Sequence, residues 1–402
     1  MIRTLLVNTG SNVLVMMVKL TITFIMTPIF VRNLGYYDYG LWEIIVSVIG
    51  YMGMLDMGIR PTISRFSAKY NATGDRENLL TVFATTFAFM ATIGVLLMTF
   101  FWLWAFWFPD TLAPAGESTQ KYTLWLIIIG VQLLFEFPGY VAESYLEGFQ
   151  KYYLKNNLTI VISIISASIV YHYITPENGL LVLAIGNAAG LTLKYALFFI
   201  ILSRPMFGGI TLLPRLFSRD KLKEIIRFSF KSFIQGISTR IETLTDILIL
   251  GYFLGPAVVP FYSIPANLAG YMRTLGWNLT HAFMPLFSDL NARSDHQGII
   301  DVYLRASKYV AGIIFSIATV AVLAGGPFIG IWVGEEFREK GEIVIWMIVV
   351  YMAFPFINPF YSRYLTAVNR HAIFVRYAPL SALMNIAMSL ALVKPFGIAG
   401  VA

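Results

Sequence analysis

Cysteine is absent from this 402-residue chain, so it holds no disulfide, thiolate metal site or cysteine nucleophile. Charged residues are scarce at 13%, and the four histidines are scattered rather than spaced as metal ligands. The sequence has no Walker A or Asp-x-Asp motif, and its longest predicted outer loop covers only about residues 109–121. These absences exclude a soluble catalytic or nucleotide-binding domain. We expect no metal, no cofactor and no enzymatic activity.

Apolar sequence, in contrast, is abundant. Hydrophobic residues make up 57% of the chain, and its mean hydropathy is +0.71. A water-soluble domain of this length would need more polar residues than this chain has to cover its surface. The chain is therefore expected to lie in a lipid bilayer. A spanning helix needs about 20 mostly apolar residues. Eleven stretches qualify, at approximately 8–31, 37–58, 79–108, 122–146, 153–173, 179–203, 228–252, 256–284, 306–333, 342–365 and 372–393.

The basic residues predict how the chain is oriented in the membrane. Of the 29 lysines and arginines, 20 lie at the N-terminus or around the loops that follow even-numbered spans. Five lie on the opposite side: Arg32, Lys121, Arg338, Lys340 and Lys394. This asymmetry predicts a cytoplasmic N-terminus. The basic residues behind the net charge of +7 lie mostly in loops, where they set the membrane orientation and meet lipid headgroups. Nucleic acid is therefore not an expected partner.

The first predicted hairpin recurs 220 residues later without a gap. The matching residues are Leu34-Gly35 with Leu254-Gly255, Gly40-Leu41-Trp42 with Pro260-Phe261-Tyr262, and Gly50-Tyr51-Met52 with Gly270-Tyr271-Met272. The offset predicts two six-helix lobes that are parallel repeats. We expect an N-lobe at 1–204, a cytoplasmic amphipathic linker at 205–227 and a C-lobe at 228–402. A twelfth span would begin near Gly397, so it is expected to be truncated, with a C-terminal piece missing.

Charged residues inside predicted spans indicate a water-filled cavity or a charged ligand. Insertion of one charged side chain at the bilayer centre costs about 2.5–3.5 kcal/mol of free energy. The basic ones are Lys19, Lys194, Arg240 and Arg273, and the acidic ones are Glu136, Glu242 and Asp246. Helical spacing places Asn12 and Lys19 on one stripe of span 1. A second stripe, on span 7, contains Gln235, Thr239, Glu242 and Asp246. Because Lys19 maps onto Thr239 under the repeat, the stripes are expected to face each other across a central cleft.

Each basic residue also has a structural interpretation. In this interpretation Lys19 is no more than an ion-pair partner. Arg240 lies about 160° around the helix from Glu242, so it packs between helices. Arg273 lies near the predicted cytoplasmic end and can extend to the headgroups. Lys194 has no polar stripe on its own helix, so a structural role is favoured for it.

Three segments resemble a known family. They are Leu34-Gly35-Tyr36-Tyr37-Asp38-Tyr39-Gly40-Leu41-Trp42, Leu55-Asp56-Met57-Gly58-Ile59 and Leu146-Glu147-Gly148. They are similar to polysaccharide flippases of the multidrug/oligosaccharidyl-lipid/polysaccharide exporter superfamily. The resemblance implies twelve or fourteen helices around a central cleft, and transport of an undecaprenyl-diphosphate-linked oligosaccharide to the outer leaflet. It implies cavity roles for Lys19, Arg240 and Arg273, joined as expected substrate-binding residues by Asn12, Gln235 and Thr239.

The acidic residues predict energy coupling and keep one alternative function open. Glu242 and Asp246 lie one turn apart, so they are expected to share a proton or bind sodium, with Glu136 as a third candidate. Pairing of one of them with Lys19 is the structural alternative. An ion-coupled multidrug exporter of the same superfamily would favour an acidic cavity, whereas a membrane polymerase would need a large outer loop. The expected partners are a lipid-linked oligosaccharide, membrane lipids, and H⁺ or Na⁺.

Overall fold

Helices form nearly all of the described chain, and no strand occurs within it. The computed structural model describes residues 2–114, 116, 118–205, 209–211, 213–281, 283–368 and 372–402. Within these ranges, side chains are described for every residue except 2–6, 214, 231–232, 234–239, 242, 281, 285, 367, 372–376 and 378. The all-α fold class predicted from composition is confirmed.

Thirteen α-helices occur within the described residues. They are α1 (Ile2–Met52), α2 (Ile59–Thr73), α3 (Arg76–Trp107), α4 (Gln120–Gly148), α5 (Tyr152–Tyr173), α6 (Gly179–Ser203), α7 (Arg219–Leu254), α8 (Val259–His281), α9 (Met284–Ala292), α10 (His296–Trp332), α11 (Glu335–Ala353), α12 (Tyr361–Ala367) and α13 (Ala372–Phe396). α7 runs without a break from the predicted linker into the predicted seventh span.

Within the described residues, eight helical segments are long and apolar enough to cross a membrane, by length and composition. The first, Val7–Asp56, contains the first two predicted spans. Within α7, the described residues include a shorter apolar segment, Thr243–Leu254. The protein is therefore a multi-pass membrane protein, as predicted, and the number of spans stays a prediction.

The chain forms two compact units and passes between them more than once. Unit 1 comprises Met1–Gly35 and Tyr51–Gly236, and unit 2 comprises Tyr36–Gly50 and Ile237–Ala402. The first passage coincides with a break in α1 at Gly35, where a φ of 70° favours glycine. The predicted boundaries at 204 and 227, and the 220-residue repeat, stay predictions.

In unit 1, α4 is the central helix and packs against α2, α3 and α6. Trp125, Phe137 and Tyr145 on α4 are completely or almost completely buried. The Tyr145 hydroxyl donates to the Leu79 carbonyl of α3 at 2.7 Å, which fixes these two helices in register. Side chains on the remaining face of α4 are thereby held in defined positions.

Two glycines position the start of α2 relative to α4. A Cβ atom on Gly148 would lie 2.6 Å from the backbone carbonyl oxygen of Ser64, which cannot rotate away, so glycine permits this close approach of the two helices. Gly58, with a φ of 67°, makes the corner before α2, and its N–H donates to Asp56 Oδ1 at 2.8 Å. The corner places Arg60, the second residue of α2, beside α4.

In unit 2, α8 and α10 both pack against α11, and the second part of α1 joins them. The Tyr36 hydroxyl donates to Glu336 Oε2 at 2.6 Å. Its ring meets those of Phe261 and Phe337 edge-on, with centroids 5.2 and 5.6 Å away. These contacts tie the segment Tyr36–Gly50 to the beginnings of α8 and α11.

Replacing Gly40 by alanine is expected to lower the free energy of unfolding by about 1–3 kcal/mol, as overpacking typically does. The added Cβ would lie 1.8 Å from the Pro256 carbonyl oxygen, a backbone atom that cannot rotate away. Thermal unfolding in detergent measures the change. Gly10→Ala is the matched control, because no atom lies within 4 Å of a Cβ at that position of the same helix. Equal melting temperatures for the two variants would contradict the packing argument.

Candidate functional site

A stripe of polar side chains runs along one face of α4 in unit 1. Gln132, Glu136, Tyr140, Glu143 and Glu147 follow at three- or four-residue spacing, which keeps them on the same side of a helix. Gln132 Nε2 donates to Glu136 Oε2 at 3.0 Å, and the Tyr140 hydroxyl donates to Glu136 Oε1 at 2.6 Å. Glu136, a predicted coupling residue, is thus a hydrogen-bonded member of this stripe.

Basic side chains from α2 and α5 meet the carboxylates of the stripe. Arg60 Nη2 lies 3.6 Å from Glu143 Oε2, and its guanidinium lies 4.1 Å above the centre of the Tyr140 ring. Lys155 Nζ is 2.6 Å from Glu147 Oε1 and 3.7 Å from Glu143 Oε1. Glu143 therefore bridges two cations, with neither of them within hydrogen-bonding distance.

Arg60 keeps its positive charge in this setting. Burial lowers its pKa, but the negative charges nearby, above all that of Glu143, outweigh this effect and hold the pKa above its ordinary value. About a third of the Arg60 side chain is exposed, at 35%. The side chain is therefore charged and partly exposed.

Two lysines inside predicted spans extend the group. Lys194 of α6 lies 4.1 Å from the centre of the Tyr195 ring, and no described carboxylate lies within 4.0 Å of its ammonium group. The charged groups that act electrostatically on it are Glu143, Glu136, Lys19 and Arg60. The structure thus brings Lys19, predicted from its polar stripe, into one neighbourhood with Lys194.

We call these residues the unit-1 charge cluster. Its members are Lys19, Arg60, Glu136, Glu143, Glu147, Lys155 and Lys194. Asp56 also acts electrostatically on Arg60, so basic and acidic side chains are balanced in number around the cluster. Lys194 nevertheless lies inside a predicted span with no described carboxylate within 4.0 Å, and such a cation suits an anionic ligand.

Unit 2 contains a separate polar cavity of about 330 Å³. Asp246, Tyr262, Ser263, Arg273 and Asn385 are among the residues that line it. Asp246 is buried, and its carboxylate accepts hydrogen bonds from the Tyr262 hydroxyl at 2.7 Å and from Ser389 Oγ at 3.3 Å. Ser263 Oγ and Asn385 Oδ1 are buried without a hydrogen-bond partner among the described residues.

The other predicted site residues have varied surroundings. Arg273 lines the unit-2 cavity, whereas Arg240 Nη1 donates to the Gly50 carbonyl, a contact between helices. Asn12 Oδ1 accepts a hydrogen bond from Asn156 Nδ2 at 2.6 Å. The side chains of Gln235, Thr239 and Glu242 lie outside the described residues. The roles given to all these residues stay predictions.

Sequence reasoning overlooked Arg60, Glu143 and Lys155. The regular spacing of polar residues on α4 was a usable signal, and Arg60 directly follows the segment Leu55–Ile59. Ser389 and Asn385, in contrast, come from a helix more than 100 residues beyond Asp246, and no local pattern singles them out.

Comparison with known proteins identifies the family. Residues 5–291 match the family described as "Polysaccharide biosynthesis protein". The chain belongs to this family. A relative in Bacillus subtilis (strain 168), "Uncharacterized membrane protein EpsK", is 21% identical over 346 residues, which are 84% of this chain and 67% of the relative.

Solved structures share the fold of this polysaccharide biosynthesis protein. One is described as an inward-facing multidrug resistance MATE family transporter of the MOP superfamily, with a TM-score of 0.75, 15% identity, and coverage of 95% of this chain and 89% of the other. Another is the lipid II flippase MurJ in an inward closed conformation, with a TM-score of 0.70, 14% identity, and coverage of 100% and 83%. The expected membership of a polysaccharide family is thus confirmed by the family match, and the solved MOP-superfamily transporters share the fold.

Proposed function

We propose that the protein is a flippase that moves a polyprenyl-diphosphate-linked oligosaccharide from the inner to the outer leaflet by alternating access. Membership of the polysaccharide biosynthesis family supports a glycan cargo. The observation that supports a diphosphate headgroup is Lys194, a cation inside a predicted span that has no described carboxylate within 4.0 Å. The flippase would lie in a bacterial or archaeal inner membrane with its N-terminus in the cytoplasm.

The chemistry of the cargo fits these lysines. A diphosphate headgroup cannot cross hydrocarbon without replacing its bound water, and ammonium or guanidinium groups replace it with charge-assisted hydrogen bonds. Lys19 and Lys194 are the proposed diphosphate ligands inside the membrane. The polyprenyl chain remains in lipid, and the sugars are held by polar side chains that include Asn12, Gln235 and Thr239. Arg240 and Arg273 are the proposed basic ligands from unit 2.

The multidrug exporter is less well supported by the described carboxylates. A site for an organic cation needs an acidic group that is free to pair with it. Glu136 already accepts two hydrogen bonds, Glu143 and Glu147 pair with cations, and Asp246 accepts hydrogen bonds from Tyr262 and Ser389.

The unit-2 cavity is the proposed coupling site. Asp246 provides a buried carboxylate, and Ser263 and Asn385 add oxygen atoms that lack protein partners. Oxygen ligands of this kind suit a hard cation, and a buried carboxylate is equally suited to carry a proton. A sodium ion bound there would be coordinated by the Asp246 carboxylate together with Ser263 Oγ and Asn385 Oδ1.

A reconstituted transport assay tests the function. Proteoliposomes receive a fluorescent polyprenyl-diphosphate oligosaccharide in the inner leaflet and, in parallel, a cationic dye of the multidrug type. We expect ion-gradient-dependent appearance of the sugar in the outer leaflet, and no dye transport above empty liposomes. Dye transport without sugar transport would replace the flippase with the exporter.

A further inference from the structure

The cations of the unit-1 charge cluster lie at two different depths along their helices. Arg60 is the second residue of α2 and Lys155 the fourth of α5, so both lie in first turns. Lys194 lies nine residues before the end of α6, well inside a predicted span. Arg60 and Lys155 are therefore placed near a membrane surface, which the distribution of basic residues predicts to be the cytoplasmic one.

The contacts of Glu143 are looser than those of an ordinary buried ion pair. Charge-assisted N–H···O bonds measure about 2.7–2.9 Å. Lys155 and Glu147 are this close, at 2.6 Å, whereas Glu143 lies 3.6 Å from Arg60 and 3.7 Å from Lys155. One carboxylate thus occupies a space between two cations without bonding closely to either. A diphosphate carries more oxygen atoms and more charge, and it is large enough to contact both cations directly.

The two cations are held in place by contacts other than Glu143. The Arg60 guanidinium rests on the Tyr140 ring, and the Tyr140 hydroxyl is fixed by its hydrogen bond to Glu136. Lys155 is anchored by Glu147. Removal of the Glu143 charge therefore leaves a preformed pair of cations, and preorganisation of this kind favours ligand binding.

We propose that Arg60 and Lys155 form a second binding site for the substrate diphosphate, at the membrane surface, and that the Glu143 carboxylate occupies this site until the diphosphate displaces it. The proposal rests on the proposed flippase function. Glu143 acts as an exchangeable counter-ion, which prevents weaker anions from occupying the site. The diphosphate bound there then has Lys194 and Lys19 as the next cations along unit 1.

Binding of farnesyl diphosphate, a short soluble polyprenyl diphosphate, tests the proposal by calorimetry on the purified protein in lipid nanodiscs. Glu143→Gln keeps the shape of the side chain and removes its charge, and we expect the Kd to fall about fivefold or more. Arg60→Gln is expected to raise the Kd about tenfold. A misfolded protein would not bind more tightly, so the gain in affinity separates the proposal from loss of structure.

Two charge-matched controls lie outside the site. Arg65→Gln removes a guanidinium from the same helix, where it lies over the Phe228 ring, and Glu77→Gln removes a carboxylate from the first turn of α3. Both are expected to leave the Kd unchanged. An unchanged or higher Kd for Glu143→Gln overturns the proposal and makes Glu143 a structural ion-pair partner.

Failure of the flippase function and failure of the second binding site give different results. Absence of farnesyl diphosphate binding to the wild-type protein, together with absence of lipid-linked sugar transport, overturns the flippase and the second site together. Wild-type binding and transport, with no gain in affinity for Glu143→Gln, overturns only the second site.

Discussion

Lys19→Ala is expected to abolish transport of the lipid-linked oligosaccharide while the protein remains inserted and folded. The ammonium group lies inside the first predicted span and acts electrostatically on Lys194, so its loss removes a cation from the proposed diphosphate site. A hydrogen bond to a charged group contributes roughly 1.5–3 kcal/mol, which corresponds to a loss of about 10- to 150-fold in affinity. Because the diphosphate has no other way through the hydrocarbon, flipping in proteoliposomes should fall to the level of empty vesicles.

Two further variants show whether charge is the cause. Lys19→Arg preserves the positive charge and is expected to retain a substantial part of the transport rate. Lys69→Ala removes an exposed lysine of α2 and should transport like wild type. Wild-type transport by Lys19→Ala, at equal protein levels in the vesicles, would refute the assignment of this residue.

Asp246→Asn is expected to remove the dependence of transport on the ion gradient and to lower the gradient-driven rate at least tenfold. Asparagine has the same shape and keeps an acceptor for Tyr262, but it cannot carry a proton or neutralise a sodium ion. Binding of farnesyl diphosphate should be retained, because Asp246 belongs to unit 2 and the unit-1 charge cluster is unaltered. Transport rates with and without a pH or sodium gradient measure the effect.

Glu242→Gln separates the two carboxylates that the sequence predicts to act together. If they share one proton or ion, both variants lose gradient dependence. If Asp246 acts with Ser263, Asn385 and Ser389 instead, only Asp246→Asn loses it. Wild-type gradient dependence in both variants would make the pair structural.

The membrane fold was predictable because it follows from composition. A chain with 57% hydrophobic residues and 13% charged residues has few alternatives to a helical bundle in lipid. The break between the first two predicted spans was also predictable from the sequence, because Gly35 lies between them. In the structure Gly35 adopts a positive φ. The assignment of Tyr36–Gly50 to unit 2 could not be predicted from the sequence. It depends on contacts such as that of Gly40 with Pro256, more than 200 residues away.

The candidate site shows what helical periodicity misses. Periodicity reveals which residues share a face of one helix, and it therefore found Lys19 on its polar stripe. On α6, Lys194 shares its face with a single polar amide, Asn187, which is too little for a polar stripe, so a structural role was favoured for it. The groups that act on it come from other helices, namely Glu143 and Glu136 on α4 and Arg60 on α2. Only the packing of the helices brings them together.

The division of α1 between the two units determines when the protein can finish folding. Tyr36 reaches its partner Glu336 across 300 residues of sequence. At a synthesis rate of roughly 5–20 residues per second, about 15–60 s separate the emergence of these two side chains from the ribosome. Throughout that interval the segment Tyr36–Gly50 is in the membrane without α8 and α11. The second part of α1 therefore acquires its packing partners only after the C-terminal half of its own chain has been made.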